Sequence, residues 1–296
     1  MNKNFIADYL LQPFSMDKRR ESAHYYEQSQ RFHNSDQHER SILSCKRALT
    51  AKSSHYDAQF QWGRNLIDQE DYKRAIRKHR EILIRDPEDY KAYYNLGVAF
   101  EREMRFFDAE IQYKKSISID SDFHDPGHNL AIVLTYQCKY GEALEQYEKN
   151  IVSNPDDSST YSCFGYLKFI LGGYEDAIKS FEDAIQKDEE YSFPYTNKSI
   201  ALFCLGQKDL AMETFQEIVR KVEASVWQQR FQKKLRIYQG ELKRFEEILK
   251  SDNLGEINKE KLVMNIEGIR FMVGLINEEF AKKANQKRAS EAEEMI

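Results

Sequence analysis

The stretch AYYNLGVAFEREMRFFDAEIQYKKSISID, residues 92–120, decides the fold. Its two small residues, Gly97 and Ala109, each have bulky neighbours three or four positions away: Tyr93, Tyr94 and Phe100 around the first, Phe106 and Tyr113 around the second. On a helix such offsets share one face. The stretch therefore predicts two helices whose backbones approach where side chains are small, with large side chains wedged around the crossing.

The pattern recurs with a period of 34. Counting units from Ser22, the eighth place holds Ser29, Gly63, Gly97, Ala131, Gly165 and Ser199, and the twentieth holds Ser41, Ala75, Ala109, Ala143, Ala177 and Ala211. With small residues at about one position in five, such a run has a chance probability of roughly 10⁻⁸. The twenty-eighth place is aliphatic from Leu49 to Val219, and the twenty-fourth runs Cys45, His79, Tyr113, Tyr147, Phe181 and Phe215. The prediction is an all-α chain with six helix-turn-helix units over residues 22–225, their helices meeting at these paired small residues.

Tyr93, Leu96, Gly97, Phe100, Ala109 and Tyr113, with Pro87 and Pro155 late in two units, resemble the signature of the tetratricopeptide repeat family. Gln59 and Gly127 depart from it at the first aromatic place and Lys198 at the leucine place. The resemblance implies an α-solenoid whose first helices line a concave groove with their second, fifth, sixth, ninth, twelfth and thirteenth residues. Partner-binding candidates on that groove are Tyr94, Asn95, Val98, His128, Asn129, Ile132, Tyr136, Tyr166, Phe169, Asn197, Ile200 and Phe203. Asn95, Asn129 and Asn197 share the sixth place, where in some relatives amides hold a peptide backbone; an amide both donates and accepts. The groove is polar early, with Gln30 and Arg64, and apolar late. No fifth place holds the lysine, and no unit supplies the lysine and arginine pair at the second and sixth places, with which chaperone-binding relatives clamp a C-terminal carboxylate, which argues against Hsp70 or Hsp90 as partner.

Only 12 Gly and 5 Pro occur in 296 residues, too few for a β protein rich in turns, and 41% hydrophobic residues exclude a wholly disordered chain. The net charge of −5 supplies no general field for nucleic acid. Two local clusters are basic: Lys73, Arg74, Arg77, Lys78, Arg80 and Arg85, and Arg230, Lys233, Lys234, Arg236, Lys243 and Arg244. Each also reads as an ordinary solvated helix face. Cys45, Cys138, Cys163 and Cys204 form no CxxC pair. His124, Asp125 and His128 have a spacing compatible with a metal, but Asp125 before Pro126 reads first as a helix cap. No catalytic grouping, cofactor motif or metal site is expected, and no apolar run is long enough to span a bilayer. A cytoplasmic setting follows as the expectation.

Outside the repeats, residues 1–21 are expected to form a short amphipathic helix with Phe5, Ile6, Tyr9 and Leu10 on one face. Residues 226–284 carry two apolar seams, Trp227, Phe231, Leu235, Tyr238, Leu242, Phe245 and Leu249, then Leu262, Ile266, Ile269, Val273, Ile276 and Phe280. These predict a long antiparallel helical hairpin, with Gly240 and Gly268 marking a close backbone approach or else tolerated flexibility. Residues 285–296 lose the seam and are expected to fray. The second seam is also a candidate occupant of the groove.

The expected function is a non-catalytic protein–protein interaction scaffold, a structural subunit of a larger assembly in a cytoskeletal or ciliary setting, using the groove and the hairpin. The alternatives are a transient peptide-binding adaptor for trafficking, chaperoning or signalling, and an RNA-associated helical-repeat protein.

Overall fold

A computed structural model describes residues 17–123, 125–221, 224–250 and 258–293. Among them are fourteen helices and no strand. The helix expected near Phe5 lies outside the described residues. The chain divides into two compact units, Met1–Val133 and Leu134–Ile296.

The first unit contains α1 (Lys18–Asn34), α2 (His38–Ala51), α3 (Tyr56–Asp68), α4 (Tyr72–Arg85), α5 (Tyr90–Arg102) and α6 (Phe106–Ile119), and most of α7 (Asp125–Tyr136). Each helix packs on the next from α1 to α6, and the first helices of consecutive pairs, α1 with α3 and α3 with α5, also touch. Aspartates start several helices. The Asp71 and Asp89 carboxylates accept from the Arg74 and Ala92 amides, satisfying donors that have no partner inside the helix.

The second unit contains α8 (Tyr140–Ser153), α9 (Ser158–Ile170), α10 (Tyr174–Lys187), α11 (Ser192–Cys204), α12 (Lys208–Lys221), α13 (Ala224–Lys250) and α14 (Lys259–Glu293). α9 to α12 continue the pairwise packing, and α14 lies against α13, α11 and α9. α14 continues beyond residue 284 to Glu293, past the boundary expected for fraying, because the alanines, glutamates and lysines that end the seam are themselves strong helix formers.

The small residues carry out close packing of a specific kind. A Cβ on Gly63 would lie 2.5 Å from the His79 ring, one on Gly97 2.5 Å from Tyr113, and one on Gly165 2.8 Å from Phe181 and 3.1 Å from the Ala177 carbonyl. The eighth place of a unit is thus pared down chiefly to admit the ring at its twenty-fourth. Where serine stands instead, it bonds across the crossing: Ser41 Oγ donates to the Ser29 carbonyl at 2.7 Å, and Ser199 Oγ to the Ala211 carbonyl at 2.6 Å.

A second periodicity resides in the backbone. Asp36, Glu70, Met104, Cys138, Gly172 and Gly206 all have positive φ, between 55° and 80°, and recur every 34 residues at the turn inside each pair. The following amide reaches back to the helix, as Asp71 N does to the Leu66 carbonyl at 2.8 Å, closing the helix end in a left-handed cap.

Candidate functional site

In the first unit, helices α3 and α5 border an open cleft of about 470 Å³. Its lining follows the repeat register. Phe60, Arg64, Ile67 and Asp68 occupy the fifth, ninth, twelfth and thirteenth places of one unit, and Lys91, Tyr94, Asn95, Val98 and Arg102 the second, fifth, sixth, ninth and thirteenth of the next. Phe123 and Asp125 close one end, with Phe123 edge-on to Tyr94 at 5.2 Å between ring centres. Burial raises the Tyr94 hydroxyl pKa to about 12, so it stays protonated. Arg64 and Arg102 are exposed and have no ion pair among the described residues. The cleft therefore offers an apolar strip flanked by guanidinium groups that form no close ion pair, with Asp68 and Asp125 also on its lining, chemistry suited to carboxylates beside apolar anchors.

Of the candidates placed here by sequence, Tyr94, Asn95 and Val98 line this cleft. His128, Asn129 and Ile132 follow on α7, half-buried. Phe60, Arg64, Lys91 and Arg102 were not among the candidates, although the groove-facing places of the repeat include them all.

The three asparagines at the sixth place differ in their contacts. Asn95 Nδ2 donates to the Lys91 carbonyl at 2.8 Å and Asn197 Nδ2 to the Phe193 carbonyl at 2.9 Å, each in its own helix one turn back. One N–H of each amide is thereby engaged, and both residues are buried. Asn129 Nδ2 faces the Tyr94 and Tyr113 hydroxyls at 3.4 Å.

In the second unit the corresponding face is covered by the chain itself. Phe203 stacks on Phe271 of α14 with ring centres 4.3 Å apart, Ile200 is 1% exposed, and Phe169 and Asn197 are also buried. Gly268 is the point of closest approach. A Cβ there would lie 2.8 Å from Cys204 Sγ and from Ile200 Cγ2, whereas nothing lies within 4 Å of one on Gly240. The close backbone approach thus pairs α14 with α11, and it does not involve Gly240. Asn265 of α14 donates to the Phe169 and Ile170 carbonyls and accepts from the Tyr174 hydroxyl at 3.0 Å.

Helix α13 adds polar contacts. Tyr166 donates to Glu241 Oε1 at 2.6 Å, and Lys234 Nζ donates to the Ser192 carbonyl at 2.9 Å and to Thr196 Oγ1 at 2.7 Å. Burial lowers the Lys234 pKa to about 7 and raises that of Glu241 to about 7. Arg244 lies over the Tyr136 ring at 5.2 Å. Tyr136, Tyr166, Phe169, Ile200 and Phe203 therefore contact the chain's own C-terminal helices. Burying both apolar faces against each other is worth about 25 cal/mol per Å² removed from water, which accounts for the choice.

The basic clusters are partly neutralised from within. Arg74 pairs with Asp71, Lys78 with Glu81, and Lys78 and Arg80 lie over the Trp62 and Phe100 rings. Lys234 is buried, which breaks the second cluster as a continuous face. His124 lies outside the described residues. No helix among the described residues is long and apolar enough to cross a membrane.

Residues 60–122 match a family model described as tetratricopeptide repeat. No curated protein sequence matches the chain. Among solved structures it is similar to a protein from a functional characterisation of Pseudomonas aeruginosa pilF, with TM-score 0.60 and 17% identity over 74% of this chain and 100% of that one. It is also similar to a tetratricopeptide repeat protein from Parabacteroides merdae, with TM-score 0.58 and 16% identity over 85% of this chain and 99% of that one. A third likeness is to a thermophilic TPR protein of Thermus thermophilus, with TM-score 0.54 and 12% identity over 62% of this chain and 99% of that one. At these identities the likenesses speak for the fold alone, and they agree with the 34-residue register, the small-to-ring contacts and the left-handed turns: the chain has the fold of tetratricopeptide repeat proteins, and its residues 60–122 match that family's model.

Proposed function

We propose that the protein is a non-catalytic scaffold that receives a segment of a partner protein in the cleft between α3 and α5, as a subunit of a larger assembly. The supporting observation is a contrast between equivalent places of the repeat. Ile200 and Phe203 are covered by α14, whereas Arg64, Val98 and Arg102 face an open cleft. A segment with an apolar anchor for the Phe60 and Val98 strip and one or two carboxylates for Arg64 and Arg102 is the best fit, since hydrogen bonds to charged groups contribute about 1.5–3 kcal/mol each. The finer setting, cytoskeletal or ciliary, is a proposal tested by localising the tagged full chain.

The binding reading is tested by affinity capture with the full chain from native extract, followed by the variants Val98→Asp and Arg64→Glu/Arg102→Glu. Each is expected to lower recovery of the captured partner at least tenfold while the helical circular dichroism is unchanged. Undiminished recovery by both variants rejects the cleft as the binding site.

A further inference from the structure

The turn between α1 and α2 gathers two histidines beside Asp68, which also lies on the edge of the binding cleft. His33 near the end of α1, His38 at the start of α2 and Asp68 at the end of α3 place one ring nitrogen each and a carboxylate oxygen within 4.8 Å of one another. His33 Nδ1 and His38 Nδ1 lie 3.6 and 3.7 Å from Asp68 Oδ2. Two ligand atoms held about 2.1 Å from one tetrahedral ion are about 3.4 Å apart, so these spacings need contract by only a few tenths of an ångström.

A fourth donor atom, an oxygen, lies beside the two imidazoles. Asn65 Oδ1 lies 2.9 Å from His33 Nδ1 and 3.5 Å from His38 Nδ1. Asn65 is fully buried, and its amide nitrogen donates to Ser41 Oγ at 2.8 Å, which in turn donates to the Ser29 carbonyl. This chain orients the amide so that its oxygen faces the imidazoles, as an outer layer of hydrogen bonds orients metal ligands.

The repeat supplies an internal control. Four units later, the places of His33, His38, Asn65 and Asp68 are held by Phe169, Tyr174, Ala201 and Cys204. There the Phe169 and Tyr174 rings pack at 5.8 Å, nearly the 5.7 Å of His33 and His38. The junction is filled there by an aromatic pair, whose Tyr174 hydroxyl is bonded to Asn265 of α14, and it holds no imidazole. Placing two imidazoles, a buried amide and a carboxylate in it costs desolvation that packing does not require.

We propose that His33, His38 and Asp68 bind one divalent transition-metal ion, zinc, with Asn65 Oδ1 as a further oxygen. Imidazole nitrogens favour zinc over calcium or magnesium. The two histidine side chains are 21% and 22% exposed and Asp68 39%, so the ion is reached from solvent beside Tyr72 and Arg102. Coordination ties α1, α2 and α3 together and so fastens the first repeat to the second.

The test is calorimetric titration of the untagged, chelator-treated full chain with zinc chloride, paired with the visible absorption of its cobalt(II) form. One site per chain is expected, with tetrahedral cobalt bands and no thiolate charge-transfer band. His33→Gln, His38→Gln and Asp68→Asn are each expected to weaken zinc at least tenfold, and His24→Gln to leave it unchanged. Absence of a saturable site, equal affinity in the His33→Gln/His38→Gln double variant, or a thiolate band in the cobalt spectrum overturns the proposal. Should the double variant lose its helical circular dichroism, the wild-type cobalt spectrum decides, and an octahedral spectrum overturns the assignment.

Discussion

At position 79 a histidine stands where later units place Tyr113, Tyr147, Phe181 and Phe215. Its ring is fully buried, packs edge-on to Phe60 at 5.6 Å, and has no hydrogen-bond partner at either nitrogen. Burial, with the charge of Arg64 adding, lowers its pKa from 6.5 to about 3. The unfolded chain therefore takes up a proton that the folded one refuses. This group's contribution to stability is retained above pH 6.5 and lost as pH falls from there toward 3, by up to about 1.4 kcal/mol per pH unit. His79→Phe is expected to raise the unfolding free energy by about 1–3 kcal/mol at pH 7, because an orphaned N–H disappears. It should also flatten the acid limb between pH 6.5 and 3, and urea unfolding at pH 7 and pH 5 measures both. Met104, like Asp36, Glu70 and Cys138, has a positive φ, at 59°, a conformation that costs an L-residue about 1–2 kcal/mol. Met104→Gly is expected to stabilise by about 0.5–1 kcal/mol after the entropy lost by glycine, seen as a higher thermal midpoint. The side-chain periodicity was legible at this scale. The run of left-handed turns was missed because only Gly172 and Gly206 announce it, while Asp36, Glu70, Met104 and Cys138 hide it.

Among the elements, α13 and α14 show where reading a sequence stops. Their seams were legible in Phe231, Tyr238 and Phe245 and in Leu262, Ile266 and Ile269, all of them buried. Hydrophobic spacing states that a face must be covered and does not state by what. Gly268 contained the answer, since a missing side chain inside a helix marks a close neighbour, but symmetry about the loop pointed equally to Gly240. Gly268→Leu is expected to separate α14 from α11, costing about 1–3 kcal/mol through overpacking against Ile200 and Cys204. Hydrogen exchange should then rise in α14 and leave α3 to α6 unaffected. Gly240→Leu, with open space at that point, should leave exchange in α14 unchanged.

For the whole molecule, the consequence is a division of labour between equivalent places of one repeat. The second unit uses them to hold its own C-terminal helices, and in the first they line an open cleft. Deleting residues 224–296 is expected to expose Phe169, Ile200 and Phe203 and drive self-association, visible as concentration-dependent light scattering, while retaining the partner captured through Val98. Retained capture with unchanged scattering contradicts the covering role of α13 and α14. By itself the sequence determined the helical hairpins and their period, because these follow from spacing along one chain and from side-chain size, while the places expected to face a groove came from the family resemblance. Which of those places stay open, which amides are already engaged, and that His33, His38 and Asp68 meet were decided only by tertiary structure. They depend on side chains distant in sequence, such as Ile200 and Gly268, competing for the same surface, and no local pattern records the winner of that competition.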